Sequence, residues 1–438
     1  MPLWLCDFRK CSNPTVQREG YCLCCDKHFC SKHLLEPFHK CPSPQENWSS
    51  FSAQYAATEV RHIDELRRRI DSSKLCSMAS ELREGIPCTV NLSRRHLSAM
   101  MGHQNCHAEV MFEDGVSWLA RLPLTRTTSP PEEVRDFILR SEAGTLAYLH
   151  DRTSIPVPKI FDWACGSDPE NQLGVSYIPM EKLHGMPLDW HSANLAQKEK
   201  VMQQLADFFL EIERHPVEAL GSLLPVEGPA KFVVQGVAQH ATYTMGAEGP
   251  LGPFTSSLEG SVAMLTMIAS GEIGAYHSVD TYLTHRFRLD VANSLWGNEP
   301  AGGRFFLKHP DDKGDHILVN ESYDIEWTRT ASKIEAFSSP CMMWPLGKFY
   351  EGSNELAPDE RRLAEIFHEK GRDDLSNCPE SPSDRKALLD LFVGLKMAFN
   401  IEDETWEGWE MWKGKALRKW KDDKLLQSLL RLHLNKED

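Results

Sequence analysis

Seven of the thirteen cysteines in this chain fall within its first 41 residues, and His28, His33 and His39 stand among them. So dense a set of soft donors constrains this region more than any apolar pattern does. About forty residues cannot bury enough surface to fold alone. A metal bound by such donors would supply most of the folding free energy instead. Cys6, Cys11, Cys22, Cys25, Cys30, His33, His39 and Cys41 are eight donors, enough for two closed tetrahedral zinc sites with no open position. Cys24 and His28 are left over, and either could substitute for a neighbour. The other six cysteines (Cys76, Cys88, Cys106, Cys165, Cys341 and Cys378) are scattered singly. That is the pattern of a reduced intracellular chain rather than a disulfide framework.

The spacing C-x4-C-x10-C-x2-C-x4-C-x2-H-x5-H-x-C, with Phe29 directly before Cys30, resembles the AN-one-type zinc finger of the stress-associated protein family. The resemblance implies interleaved ligands, with Cys6, Cys11, Cys30 and His33 on one zinc and Cys22, Cys25, His39 and Cys41 on the other. It also implies docking to a protein partner, in the setting of ubiquitin-linked quality control or the stress response. A nucleic-acid role is not expected. Residues 1–41 carry six basic side chains (Arg9, Lys10, Arg18, Lys27, Lys32, Lys40) against four acidic ones, and six thiolates with two divalent zincs bring the total to zero, so little attracts phosphates.

At 438 residues, two or three domains of about 150 residues each are expected. Apolar content of 41% and charged content of 25% fit an ordinary globular chain. No run approaches the roughly 20 apolar residues of a membrane helix. The start, Met1-Pro2-Leu3-Trp4-Leu5-Cys6, has neither the basic region nor the apolar core of a secretory signal. A formal charge of −15 argues against a broad nucleic-acid surface. The expectation is a cytoplasmic protein without a membrane segment, the nucleus being left open as a compartment.

Cys41-Pro42-Ser43-Pro44 ends the first module, and a polar linker is expected to about Ser52. From Gln54 to Glu84 the pattern is helical, with Val60, Ile63, Leu66 and Ile70 on one stripe. Arg67-Arg68-Arg69 reads as a solvated face of that helix, the alternative being a contact with an acidic partner, and Gly85-Ile86-Pro87 closes it. Next, Ala108 to Phe112, the turn Asp114-Gly115 and Ser117 to Leu122 predict a hairpin. It ends on a strand carrying one cation, Arg121. A cation on a buried strand is costly unless it is paired or holds an anion, so Arg121 is a candidate phosphate contact; the plain alternative is an edge-strand cation in water. A helix from Pro131 to about Tyr148 carries Glu142. After Thr153-Ser154-Ile155-Pro156-Val157-Pro158 one strand is expected to Trp163 and another from Tyr177 to Gly185, then helices at Lys198–Glu213 and Val262–Ser270. Further on, Phe305 to Lys308 and Ile317 to Val319 read as two strands flanking His309-Pro310-Asp311, a loop that would hold a carboxylate at a cleft edge.

Taken together, residues from about 88 to 345 resemble the aminoglycoside phosphotransferase family, in its fungal branch. The matching stretches are Phe112 to Arg121, Thr153 to Asp162, Met180 to Gly185 and His309 to Val319. The resemblance implies a two-lobed, protein-kinase-like fold that uses ATP and magnesium. Arg121 would contact phosphate and Glu142 would be its helix partner. Met180, Glu181 and Leu183 would line the interlobe connection beside adenine, and Asp311, with His309, would face the acceptor hydroxyl of a small molecule or a protein.

Two departures bear on activity. His316 stands where the pattern has the magnesium-binding Asn, and neutral imidazole suits hard magnesium poorly. The stretch Ile325-Glu326-Trp327 is about four residues shorter than the usual strand, and Glu326 replaces the metal-binding Asp. The chain therefore reads either as a phosphotransferase or as a catalytically impaired pseudokinase serving as a binding scaffold. In the charged, helical residues 346–438, Trp406, Trp409, Trp412 and Trp420 are expected to form a packing face. The expected architecture is α+β: a two-zinc finger (1–45), a polar linker and bridging helix (46–87), a small lobe (88–185), a large lobe (186–345) and a helical C-terminal part of it (346–438).

Overall fold

In the first forty residues the path of the chain follows its thiols and imidazoles rather than a sheet. Among the described residues there, strand pairing is limited to an isolated bridge between Leu5 and Pro14 and a two-residue ribbon, β1 (Tyr21–Cys22) against β2 (Lys27–His28). Asp26 closes its turn at φ 60°, a left-handed conformation that Asp tolerates better than most residues. The computed structural model describes residues 4–15, 20–43, 47–102, 104–126, 128–226, 231–238, 249–271, 278–297, 303–308, 314, 317–319, 329–331, 333–345, 355–380 and 406–434.

Asn47 accepts the backbone N–H of Ser50 and opens helix α1, Trp48–Arg69, so the helix starts inside the stretch expected to be linker. It stops at Ile70, where the backbone turns extended, and Asp71 accepts from the N–H groups of Ser73 and Lys74 to open α2, Ser72–Leu82. The single helix expected over 54–84 is thus two. An Asp side chain satisfies helix-terminal N–H groups better than it tolerates a helix interior. The apolar stripe is buried at Ile63, Leu66 and Ile70. Of the three arginines only Arg68 is a plain solvated side chain, since Arg67 donates to the Leu92 carbonyl at 2.6 Å and Arg69 to that of Gly174 at 3.0 Å.

Four antiparallel strands follow: β3 (Cys88–Val90), β4 (Asn105–Phe112), β5 (Ser117–Pro123) and β6 (Ile178–Glu181), in that order across the sheet. Helix α3 (Arg94–Ala99) joins β3 to β4, and α4 (Glu132–Arg152) lies between β5 and β6. Gly115, at φ 86°, makes the turn between β4 and β5. Alternation along β5 assigns the two faces. Trp118, Ala120 and Leu122 pack with Ile63, Leu66 and Leu75 of α1 and α2. Leu119 faces Leu139 and Ala143 of α4, together with Ile178 and Met180 of β6. The strand expected from Pro158 to Trp163 is reduced to isolated bridges, Ile160 to Met180 and Ala164 to Tyr177. Pro179 on the facing strand accepts the Phe161 N–H but offers none in return.

Beyond β6 come β7 (Met186–Pro187), α5 (Leu195–Glu213), the ribbon β8 (Ser222–Pro225) with β9 (Phe232–Gln235), and helices α6 (Ser257–Gly271) and α7 (Ser278–Trp296). Strand β10 (Phe306–Lys308) pairs with β12 (Arg329–Ala331), and β11 (Leu318–Val319) pairs with β7. Helices α8 (Lys333–Ala336), α9 (Pro358–Glu369), α10 (Asp373–Glu380), α11 (Trp406–Lys419) and α12 (Lys424–Leu434) follow. The core of this half joins Val201 and Leu205 to Phe306, Ile317, Phe337 and Phe367. Trp420 packs with Leu426 and Leu429 against Tyr282 and Leu283 of α7; Trp406, Trp409 and Trp412 are outside the residues whose side chains are described. Among the described residues, no helix is long and apolar enough to cross a membrane.

Ion pairs tie α5 to the C-terminal helices: Arg362 to Glu199 at 2.8 Å, Lys198 to Asp359 at 2.9 Å, and Arg372 to Glu213. The hydrogen bonds from Arg362 hold the Glu199 carboxyl down at about 2. A carboxyl depressed on folding contributes stability that is present above about pH 4.5 and is lost as pH falls toward 2. Arg362→Met should therefore flatten the stability profile in that window. Discounted for solvent exposure, the loss at neutral pH should be about 0.5–1 kcal/mol, read from urea midpoints at pH 7 and pH 3.

Candidate functional site

The N-terminal donors converge on two points. Cys6, Cys11, Cys30 and His33 bring one ligand atom each within 4.8 Å of one another, and so do Cys22, Cys25, His39 and Cys41. In the first group Cys6 Sγ is 3.3 Å and Cys30 Sγ 3.4 Å from His33 Nδ1, and the Cys11 and Cys30 sulfurs are 3.9 Å apart. In the second, Cys25 Sγ is 3.8 Å from His39 Nε2. Zinc bonds of about 2.3 Å to sulfur and 2.0–2.1 Å to nitrogen, at tetrahedral angles, would set sulfur pairs about 3.8 Å apart and sulfur–nitrogen pairs about 3.6 Å apart. The donor sets fit such an ion with movements of a few tenths of an ångström.

Packing fixes the imidazoles. The Phe8 ring stacks on His33 at 4.0 Å, the Phe38 ring meets it edge-on at 5.0 Å, and Phe29 lies 4.6 Å from His39. The thiols compete for protons: a hydrogen bond from Cys25 pulls Cys22 down to about 4, while the same contact raises Cys25. Sulfurs crowded in this way are relieved by a divalent cation. Cys24 and His28 stand outside both groups. Cys24 Sγ donates to the Phe51 carbonyl at 3.8 Å, and His28 lies 3.3 Å from Asp7.

Helix α1 carries the module. The Thr58 hydroxyl donates to the Cys24 carbonyl at 2.8 Å, and His62 Nε2 meets Asp26 Oδ2 at 2.9 Å. The sequence reading missed Phe8, Phe38, Asp26 and His62. Only Asp26 carried a signal, because a turn flanked by ligands favours a residue that accepts positive φ.

On the sheet, Arg121 is buried on an interior strand, with a side chain only 3% exposed. The reading of it as an edge-strand cation in water is therefore excluded. It pairs with His107 on one side and Ile178 on the other. Its guanidinium reaches across to α4, where Nη2 donates to Glu142 Oε1 at 3.3 Å. Met180 is buried opposite Leu119, while Glu181 is exposed and accepts the Lys159 N–H at 3.3 Å. Leu183 is half-buried on the segment leading to Met186. His309, Asp311, His316 and Glu326 lie outside the described residues. Gly314 holds φ 99°, a conformation that side chains rarely adopt, and a Cβ there would lie 2.8 Å from Met342 Sδ.

No family model matches the chain, and no curated protein matches it. Among solved structures it is similar to the GDP complex of wild-type aminoglycoside 2'-phosphotransferase-IIIa, 14% identical over 83% of this chain and 97% of that one, with a TM-score of 0.42. A macrolide 2'-phosphotransferase from Brachybacterium faecium is 14% identical over 78% of this chain and 97% of its own, with a TM-score of 0.39. A type I macrolide 2'-phosphotransferase is 15% identical over 78% and 96%, with a TM-score of 0.37.

Removing one partner of a buried ion pair costs far more than replacing both. Glu142→Ala should destabilise the protein by about 3–5 kcal/mol, whereas Arg121→Met combined with Glu142→Leu should recover most of that loss. Urea denaturation of the two variants checks the order.

Proposed function

We propose that this chain is a zinc-binding phosphotransferase of kinase type. Residues 1–45 would hold two zinc ions through the two Cys/His groups, closed sites of structural character, and would dock a protein partner. Residues from 88 onward would bind ATP with magnesium and transfer its terminal phosphoryl group to the hydroxyl of a small molecule or protein.

The observation that carries the phosphotransfer half is the Arg121–Glu142 pair. A desolvated arginine on an interior strand gains little stability over an apolar pair, so its presence there has a better explanation in anion binding. Glu142 would hold the guanidinium in place while Arg121 contacts phosphate oxygens. Met180, Glu181 and Leu183 would border the adenine. Asp311, aided by His309, would accept the proton of the acceptor hydroxyl as its oxygen bonds to phosphorus and the bond to the ADP oxygen breaks. Glu326 would supply a carboxylate to magnesium.

Elemental analysis of the purified protein should give two zincs per chain, and a folded, metal-free 1–50 fragment would reject the metal sites. Calorimetric titration should show magnesium-dependent binding of ATP, weakened at least about tenfold by Arg121→Ala. Asp311→Asn should leave that binding in place while abolishing turnover. Absence of ATP binding would reject the enzyme and leave a pseudokinase scaffold, with the zinc module as the working part.

A further inference from the structure

A cavity of about 50 Å³ opens between the start of β4, the end of β5 and the first turns of α4. Its wall includes Gln104, Asn105, Arg126, Thr128, Arg135 and Glu142. One water needs about 10–15 Å³ measured this way, so the space suits four clustered oxygens rather than a nucleoside.

Two of the guanidiniums on its wall are incompletely engaged. Glu142 is matched by Arg121, and Arg126, whose side chain is 7% exposed, is matched by Glu59 at 3.1 Å. Among the described residues Arg135 forms no ion pair, and its contact is a donation from Nη1 to the Thr125 hydroxyl at 2.6 Å. Glu132 and Asp136 are the carboxylates nearest to it; neither forms an ion pair with it, and Asp136 is engaged through one oxygen by the Ser167 hydroxyl while its Oδ1 is buried without a partner. Both Arg126 and Arg135 keep a buried Nε–H with no hydrogen-bond partner. Two orphaned guanidinium donors on one small cavity call for an acceptor.

We propose that this cavity binds a tetrahedral oxyanion of the phosphate class, held by Arg126 and Arg135. Arg126 has a further consequence. Its Nη1 also donates to the Tyr55 hydroxyl at 3.2 Å, so helix α1 sets the position of one of the two anion-holding groups. The site needs no nucleotide and stands independently of phosphoryl transfer.

The test is calorimetric titration of inorganic phosphate into the full-length, zinc-loaded protein. One-site binding is expected, weakened at least about tenfold by Arg135→Gln and less by Arg135→Lys, which keeps the charge but loses the fork of donors. A thermal melt without phosphate shows whether each variant is folded, and Arg126→Gln serves as the second variant. No binding by the native protein, or native affinity in both folded glutamine variants, overturns the proposal. Repeating the titration at saturating ATP separates the sources of the anion. Competition means that the cavity takes a phosphoryl group of the nucleotide, and unchanged affinity means that it takes free phosphate. A protein that fails to bind ATP yet binds phosphate through Arg135 would reject the kinase reading and keep this one.

Discussion

Helix α1 is held by two kinds of force, and the arrangement of the N-terminal half depends on both. Its carboxy-terminal half buries Ile63 and Leu66 with Val110, Trp118 and Leu122 of the sheet, an apolar contact that is strong and tolerant of direction. Its middle carries polar contacts to the Cys/His module through Thr58 and His62, which are weak singly but fix orientation. The module, with almost no apolar core of its own beyond Phe29 and its cysteines, takes its place on the body from those few bonds.

The legible parts of the sequence were those in which chemistry is written locally. Residue type and spacing name eight donors, while their division into two interleaved groups is what the resemblance implies and not something the spacing alone spells out. Arg121 stood out because a charge inside an apolar strand needs an explanation wherever the strand lies. The break at Asp71 was harder to see, since the apolar stripe continues through Ile70 and Leu75 and only the capping bonds reveal the stop. The strand expected up to Trp163 survives only as isolated bridges, and the cause lies on its partner, where Pro179 offers no N–H for a ladder. The Arg126 and Arg135 cavity was out of reach, because its wall is drawn from three segments that no local pattern links.

The ring contacts around His33 and His39 do for the imidazoles what Glu142 does for Arg121. In each case a group able to act on a ligand is immobilised by a neighbour that would not touch that ligand. Such supports cost side-chain freedom during folding and return it as a fixed donor geometry. The sheet also keeps its two duties apart by alternation, with α1 and α2 against one face and the ion pair turned toward α4 on the other.

Because Ile63, Leu66 and Ile70 are part of the sheet's own core, the helices read from the sequence as a bridge belong with the body. Severing the chain near Gly85 would strip a covering layer from the strands and expose Trp118 and Leu122. Severing it between Cys41 and Trp48 would instead leave the body clothed. In recombination terms the natural seam lies ahead of the helix, so the module is an exchangeable cartridge and α1 is its fixed socket.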